Sequence, residues 1–220
     1  MHLMEGYLPP MWCLLWTVIS LAVIIYGIMQ LRKTVKDNPE FLALYGLSGV
    51  FMLILSSITS PSVTGSCSHP CGNAPSTVFF GPSSTALITA FVLFFQAIIF
   101  AHGGITTLGA NIFSMGIVAP LCGYVVWKKL ITATNNTVIS VFIVAFITDV
   151  MTYVTTSLEL ALAYPGTNIM SNFFIFLTIY SVSQVIWLIF DCILTTLFVL
   201  LCMAIFKQIN EKGLLTTFKW

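Results

Sequence analysis

Pro70-Cys71-Gly72-Asn73-Ala74-Pro75-Ser76-Thr77-Val78-Phe79-Phe80 decides the fold. The stretch is moderately apolar and stops at Gly81-Pro82. As a helix its length would reach about 16 Å, roughly half the hydrocarbon thickness of a bilayer. It is either a re-entrant dip or a short crossing beneath a sunken vestibule. Its neighbours are clearer. Residues 41–59 and 83–100 are apolar runs of spanning length, as are 10–31, 112–127 and 138–163. Residues 173–206 are too long for one upright helix, since about twenty residues cross the core. We read them as an interfacial or tilted piece at 173–182 and a span at 184–206. Turn signals separate the runs: Asp37-Asn38-Pro39, a Pro/Gly/Ser/Cys-rich loop at 60–73, a glycine-rich loop at 101–111, and Tyr164-Pro165-Gly166.

The basic residues choose between the two readings. There are eight: Arg32, Lys33, Lys36, Lys128, Lys129, Lys207, Lys212 and Lys219. If 70–80 crosses, the chain has seven spans and all eight fall on the side of the C-terminus. If it does not, Lys128, Lys129 and the tail move to the face opposite Arg32–Lys36. Enrichment of Lys and Arg in cytoplasmic loops selects seven spans. The expected protein is all-α: a multi-pass membrane protein of the cell membrane with one transmembrane domain over residues 1–220. Its N-terminus lies outside and its C-terminus in the cytoplasm.

Composition agrees. The chain is 58% hydrophobic and 7% charged, against roughly 25% charged in soluble domains. Only helices and closed barrels satisfy the backbone in lipid, and barrel strands would alternate with a period of two. A net charge of +1 argues against nucleic acid and leaves membrane lipid as the surrounding partner. No basic residue precedes the first apolar run, so no cleavable leader is expected. Met1 is then the expected N-terminus, kept because His2 is bulky. No G-x-x-x-x-G-K-[ST] loop occurs, so any ATP-driven step must come from another chain.

The three histidines, His2, His69 and His102, all fall on the outer side of this topology. Met1-His2-Leu3-Met4-Glu5-Gly6-Tyr7 sets three nitrogens within one residue of each other: the Met1 amine, the His2 amide and the His2 ring. Together they close a five- and a six-membered chelate ring. A fourth nitrogen completes a plane that suits Ni(II) or Cu(II). The bland alternative is a polar residue at a frayed terminus. His69 is the candidate fourth ligand. Pro70 suits a first helical turn, which would put His69 near an N-cap.

The neighbouring residues admit competing readings. Cys67, His69 and Cys71 could form a soft site for Zn or Cu(I), or the two cysteines a disulfide. We read them as structural or as surroundings of the ligands. Cys13, Cys122, Cys192 and Cys202 read as buried hydrophobes. Gly103-Gly104 through Asn111 is a close-packed loop, or a wall approaching the N-terminus in which His102 or Asn111 orients a ligand. Glu5 either adds negative potential to the vestibule or caps the first helix, and Ser66 joins the vestibule group. Asp149, Glu159 and Asp191 lie inside apolar runs. They form a proton relay, or hold helices together through Thr148, Thr152, Thr155 or Ser183. The packing reading is the simpler.

With these residues in hand, the sequence resembles the cobalt/nickel substrate-capture subunits of energy-coupling-factor transporters, the CbiM/NikM family. Three co-linear motifs carry the resemblance: Met1–Pro10 (MHLMEGYLPP), Pro61–Pro70 (PSVTGSCSHP) and Ala101–Asn111 (AHGGITTLGAN). It implies seven helices and a metal held by the Met1 amine, the His2 amide, the His2 ring and His69. It also implies three partners: a small accessory membrane protein, a transmembrane coupling subunit and an ABC-type ATPase. Phe190-Asp191-Cys192 departs from the Glu and Gly of relatives, so no role passes to Asp191. The motifs look closest to the cobalt branch, CbiM, whereas a four-nitrogen plane favours Ni(II). Co(II) is the expected cargo and Ni(II) the alternative, with no resident cofactor and no enzymatic activity. By resemblance, uptake would feed cobalamin biosynthesis. Two other classes remain: a membrane-embedded Cys/His metal or thiol enzyme, and a proton-coupled carrier.

Overall fold

The computed structural model describes residues 2–37, 39, 41–61 and 66–211. Among them the chain makes seven helical rods and one small sheet. Helices α1 (Pro10–Asp37) and α2 (Phe41–Ser57) come first, and α3 (Ala74–Phe80) and α4 (Pro82–Ile99) follow the sheet strands. The fifth rod is composite: α5 (Leu108–Ile112), a π-helical turn (Phe113–Val118) and α6 (Ala119–Thr134). The widened turn directly precedes Pro120. A proline offers no N–H and crowds the carbonyl four residues back, which favours a local π adjustment. Helices α7 (Thr137–Ala163) and α8 (Ile169–Glu211) complete the bundle.

Five rods are long and apolar enough to cross a membrane, and α2 is a shorter apolar helix. Their outward faces are lined with exposed Leu, Ile, Val and Phe, while the interior holds many buried Ser and Thr side chains. That distribution suits lipid outside and close helix contacts inside.

The short segment differs from its sequence reading at its start. Helix begins at Ala74 with Asn73 at the cap and Pro75 in the first turn, not at Pro70. Gly72 has φ +65°, a left-handed conformation that ends any helix attempted before it. His69 is consequently a residue of extended chain just past a strand, not a helix cap. The tail also differs. Ile169–Glu211 is one continuous helix, without the break expected near residue 183. It contains neither Gly nor Pro, and its ~65 Å length is about twice the hydrocarbon core. Residues 108–111 are helical rather than loop.

The sheet sits at the end of the bundle where α1 begins. Strand β3 (Ser66–Ser68) lies between β1 (His2–Leu3) and β2 (Ser60–Pro61), antiparallel to both. The other end carries a cavity of about 840 Å³ among Phe41, Gly81, Trp127, Lys128, Phe206 and Lys207. Lys128 and Lys207 thus lie at the end opposite the histidines.

Candidate metal centre

Strand β1 is a two-residue strand, too short to hold itself. Tertiary hydrogen bonds fix it. The Leu3 N–H donates to Asn111 Oδ1 (2.8 Å), and Asn111 Nδ2 donates back to the Leu3 carbonyl (3.0 Å). Thr107 Oγ1 donates to the same carbonyl (2.8 Å). Asn111 therefore grips the backbone beside His2 rather than a ligand ring. Glu5 is exposed and accepts from the Thr106 hydroxyl and amide. Those bonds lower its carboxyl pKa and tie the segment 101–107 to the N-terminal segment. Glu5 caps no helix, because α1 begins at Pro10.

Two glycines allow this approach. A Cβ on Gly104 would stand 2.6 Å from the Glu5 Cα and 2.7 Å from the Glu5 N. A Cβ on Gly103, which lies at φ +77°, would stand 3.6 Å from the His2 Cβ. The glycine-rich segment is thus a wall against the N-terminus.

Across the ladder, His2 pairs with Cys67 and Leu3 with Ser66. Both His2 and His69 are fully buried. Their ring centroids are 4.3 Å apart, and His102 stands 4.8 Å from His2 and 5.3 Å from His69. One nitrogen of each buried ring is occupied. His2 Nε2 touches Met115 Sδ at 3.4 Å, and His69 Nδ1 lies 2.8 Å from the Pro70 carbonyl. The other two, His2 Nδ1 and His69 Nε2, are buried with no hydrogen-bond partner among the described residues. Unpaired nitrogens on two adjacent buried rings are available to a shared ligand. Nδ1 is also the nitrogen of His2 that a chelate with its own backbone would use.

Electrostatics keeps these rings as lone-pair donors. Burial, then the charge His69 would add, holds His2 well below the usual imidazole value. Burial does the same at His69 and lowers His102 to about 4. All three rings are neutral at pH 7, as metal ligation requires. Cys67 Sγ joins them, 3.4 Å from His102 Nε2, with burial raising its thiol pKa. His2, Cys67, His69 and His102 offer donor atoms all within 4.8 Å of one another.

Met1 lies outside the described residues, as do Ser62 to Gly65 of the second motif. Cys67 and Cys71 are both free thiols. Cys71 is not among the four clustered side chains.

Helix α8 holds the loop that carries His69. Asp191 Oδ2 accepts from the Cys71 and Gly72 amides, each at 3.1 Å, while its Oδ1 accepts from Thr195. Gln184 Nε2 donates to the His69 carbonyl (3.5 Å), and Trp187 Nε1 donates to Ser60 (2.8 Å). Thr148, Thr152 and Thr155 donate to carbonyls of their own helix. Sequence reasoning missed Thr107, Met115, Gln184 and the anchoring role of Asp191. Met115 is 113 residues from His2, and no local pattern links them. Asp191 did carry a signal, as an acid inside an apolar run.

A sequence profile described as "Cobalt uptake substrate-specific transmembrane region" (CbiM) matches residues 2–209. The CbiM sequence of Methanosphaera stadtmanae is 56% identical over 165 residues, covering 75% of this chain and 74% of that one. The "Cobalt transport protein CbiM" of Acetoanaerobium sticklandii is 46% identical over 197 residues, 89% and 81% of the two chains. A crystal structure described as a transition metal transporter superposes with TM-score 0.78 at 23% identity, covering 93% of each chain. At that identity the likeness speaks for the fold alone.

Proposed function

The chain belongs to the CbiM family of cobalt-uptake substrate-specific transmembrane proteins, and on that premise we propose that it captures Co(II) through the N-terminal chelate. It is a multi-pass membrane component of cobalt uptake and not an enzyme. The ligands are the Met1 amine, the His2 amide, His2 Nδ1 and His69 Nε2. One observation carries this reading: two neutral, buried imidazoles whose remaining nitrogens have no hydrogen-bond partner among the described residues. Asn111, Thr107 and the Gly103-Gly104 wall dock the strand so that the chelate is organised before the ion arrives, which lowers the ordering cost of binding.

The histidine end faces outside and the Lys128–Lys207 end faces the cytoplasm, in keeping with basic residues inside. Energy comes from an ABC-type ATPase through a transmembrane coupling subunit, with a small accessory membrane protein beside the capture site. This is supported by the chain's lack of a phosphate-binding loop. The cobalt taken up serves cobalamin biosynthesis. Ni(II) is the second reading, favoured by the planar nitrogen set.

The test is metal stoichiometry of the purified chain with Co(II) and with Ni(II), beside a chain carrying one extra residue before Met1. One ion on the native chain and none on the extended chain supports the chelate. Equal binding by both sinks it. His2→Ala should likewise lose the ion.

A further inference from the structure

A four-nitrogen plane leaves its two faces open, and the fold puts another donor beside it. Cys67 lies directly opposite His2 in the β1–β3 ladder. Side chains of opposed residues project to the same face, and so do residues two apart in extended chain. His2, Cys67 and His69 therefore aim at one point from two segments. The donor atoms of these three and of His102 all lie within 4.8 Å of one another. In a single sphere with bonds of about 2.0–2.3 Å, trans donors stand roughly 4.0–4.6 Å apart and cis donors roughly 3 Å. The cluster fits around one ion with small adjustments.

Separations within the cluster say more. Cys67 Sγ and His102 Nε2 are 3.4 Å apart, a cis spacing. The two open positions of a plane are trans to each other, so only one of this pair can sit above a complete nitrogen plane. Cys67 is buried in the middle strand, between His2 and Pro61. His102 is half-buried on an irregular segment, flanked by Ala101 at φ +49° and Gly103 at φ +77°. The strand residue is the better fixed.

We infer that Cys67 Sγ is the apical fifth ligand of the captured ion, with His102 hydrogen-bonded to that sulfur. The inference rests on the N-terminal chelate proposed above. Binding forms one metal–sulfur bond and releases the thiol proton to solvent, with no change of oxidation state. It also accounts for cobalt. A bare nitrogen plane suits Ni(II) and Cu(II), and the general affinity order puts Co(II) below both. A fifth ligand from the protein rewards an ion that accepts five-coordination, as Co(II) does, over one content with a plane.

The experiment loads the purified full chain anaerobically with Co(II). It records near-ultraviolet absorption and the X-ray absorption fine structure at the cobalt edge. The expected result is a sulfur-to-Co(II) charge-transfer band and one sulfur neighbour at roughly 2.3 Å. Cys67→Ser should lose both features yet keep one ion, with Co(II) affinity lowered by roughly 10- to 100-fold and Ni(II) affinity lowered less. Cys71→Ser should keep the band. Bound Co(II) with only nitrogen and oxygen neighbours in the unaltered chain overturns the inference and leaves the four-nitrogen chelate standing. Loss of the band in Cys71→Ser overturns it as well. A chain with one residue added before Met1 that still binds Co(II) and keeps the band removes both the chelate and the apical place of Cys67 upon it. The X-ray measurement needs no variant, so a Cys67→Ser chain that fails to fold leaves the answer intact.

Discussion

Asn111→Ala tests whether docking of the N-terminal strand organises the site. The side chain makes two buried hydrogen bonds to Leu3, one accepting its N–H and one donating to its carbonyl. After truncation the carbonyl keeps Thr107, while the Leu3 N–H loses its acceptor. An orphaned buried donor costs about 1–3 kcal/mol, and the second bond contributes about 0.5–1.5 kcal/mol. The docked strand should lose about 2–4 kcal/mol in all. At 1.4 kcal/mol per factor of ten, that is roughly thirtyfold to several-hundredfold in the population of docked strand. Where the strand undocks locally, the loss appears as weaker metal binding, because only the docked fraction is competent. Where it undocks with the bundle, the loss appears as a lower melting temperature of the metal-free chain. The assays are Co(II) titration against a competing chelator and thermal unfolding in detergent. Thr107→Val serves as the milder control, removing one of two donors to the same carbonyl at a cost of about 1 kcal/mol. If Asn111→Ala leaves affinity within about threefold and melting unchanged, the docking argument is refuted.

Three further outcomes are expected. Gly104→Ala should weaken metal binding roughly 5- to 150-fold, because its Cβ would overlap Glu5 backbone atoms at 2.6–2.7 Å, an overpacking cost of about 1–3 kcal/mol; Gly46→Ala, with nothing within 4 Å, should be silent, and equal effects at both positions contradict the wall. Asp191→Ala strips the acceptor from the Cys71 and Gly72 amides, at about 1–3 kcal/mol for each unpaired donor, so melting temperature and metal affinity should fall together; a drop in neither means that α8 does not hold the ligand loop. The metal-free chain should lose stability as pH falls below the ordinary imidazole value near 6.5, because rings lowered by burial, His102 to about 4, take up protons more readily unfolded than folded. That stability is fully present above 6.5, and His102→Asn should flatten part of the slope in melting temperature between pH 7 and 4.5.

Much of the candidate site was legible because the clustered side chains sit in unusual local sequence. His2 stands next to the chain's first residue, His69 in a Pro/Gly/Ser loop, and His102 before a Gly-Gly pair. Chain topology alone brought these to one end. The acids read less well. Asp191 stood out only as a charge in an apolar run, and its task of receiving two loop amides depends on Gly72 adopting a left-handed conformation. The start of α3 was misplaced for the same reason, since Pro70 reads locally as a helix opener until Gly72 is placed.

The sequence by itself determined the class and the chemistry on offer. Hydrophobic runs and a histidine at position 2 are local or additive signals that need no folded partner. Only the tertiary structure decided which ring nitrogens are free, which backbone each loop touches and that Cys67 faces His2. Those depend on contacts between residues 65 to 120 positions apart, made by strand register and helix packing. A one-residue slip of β1 against β3 would turn His2 away from Cys67, because strand side chains alternate faces.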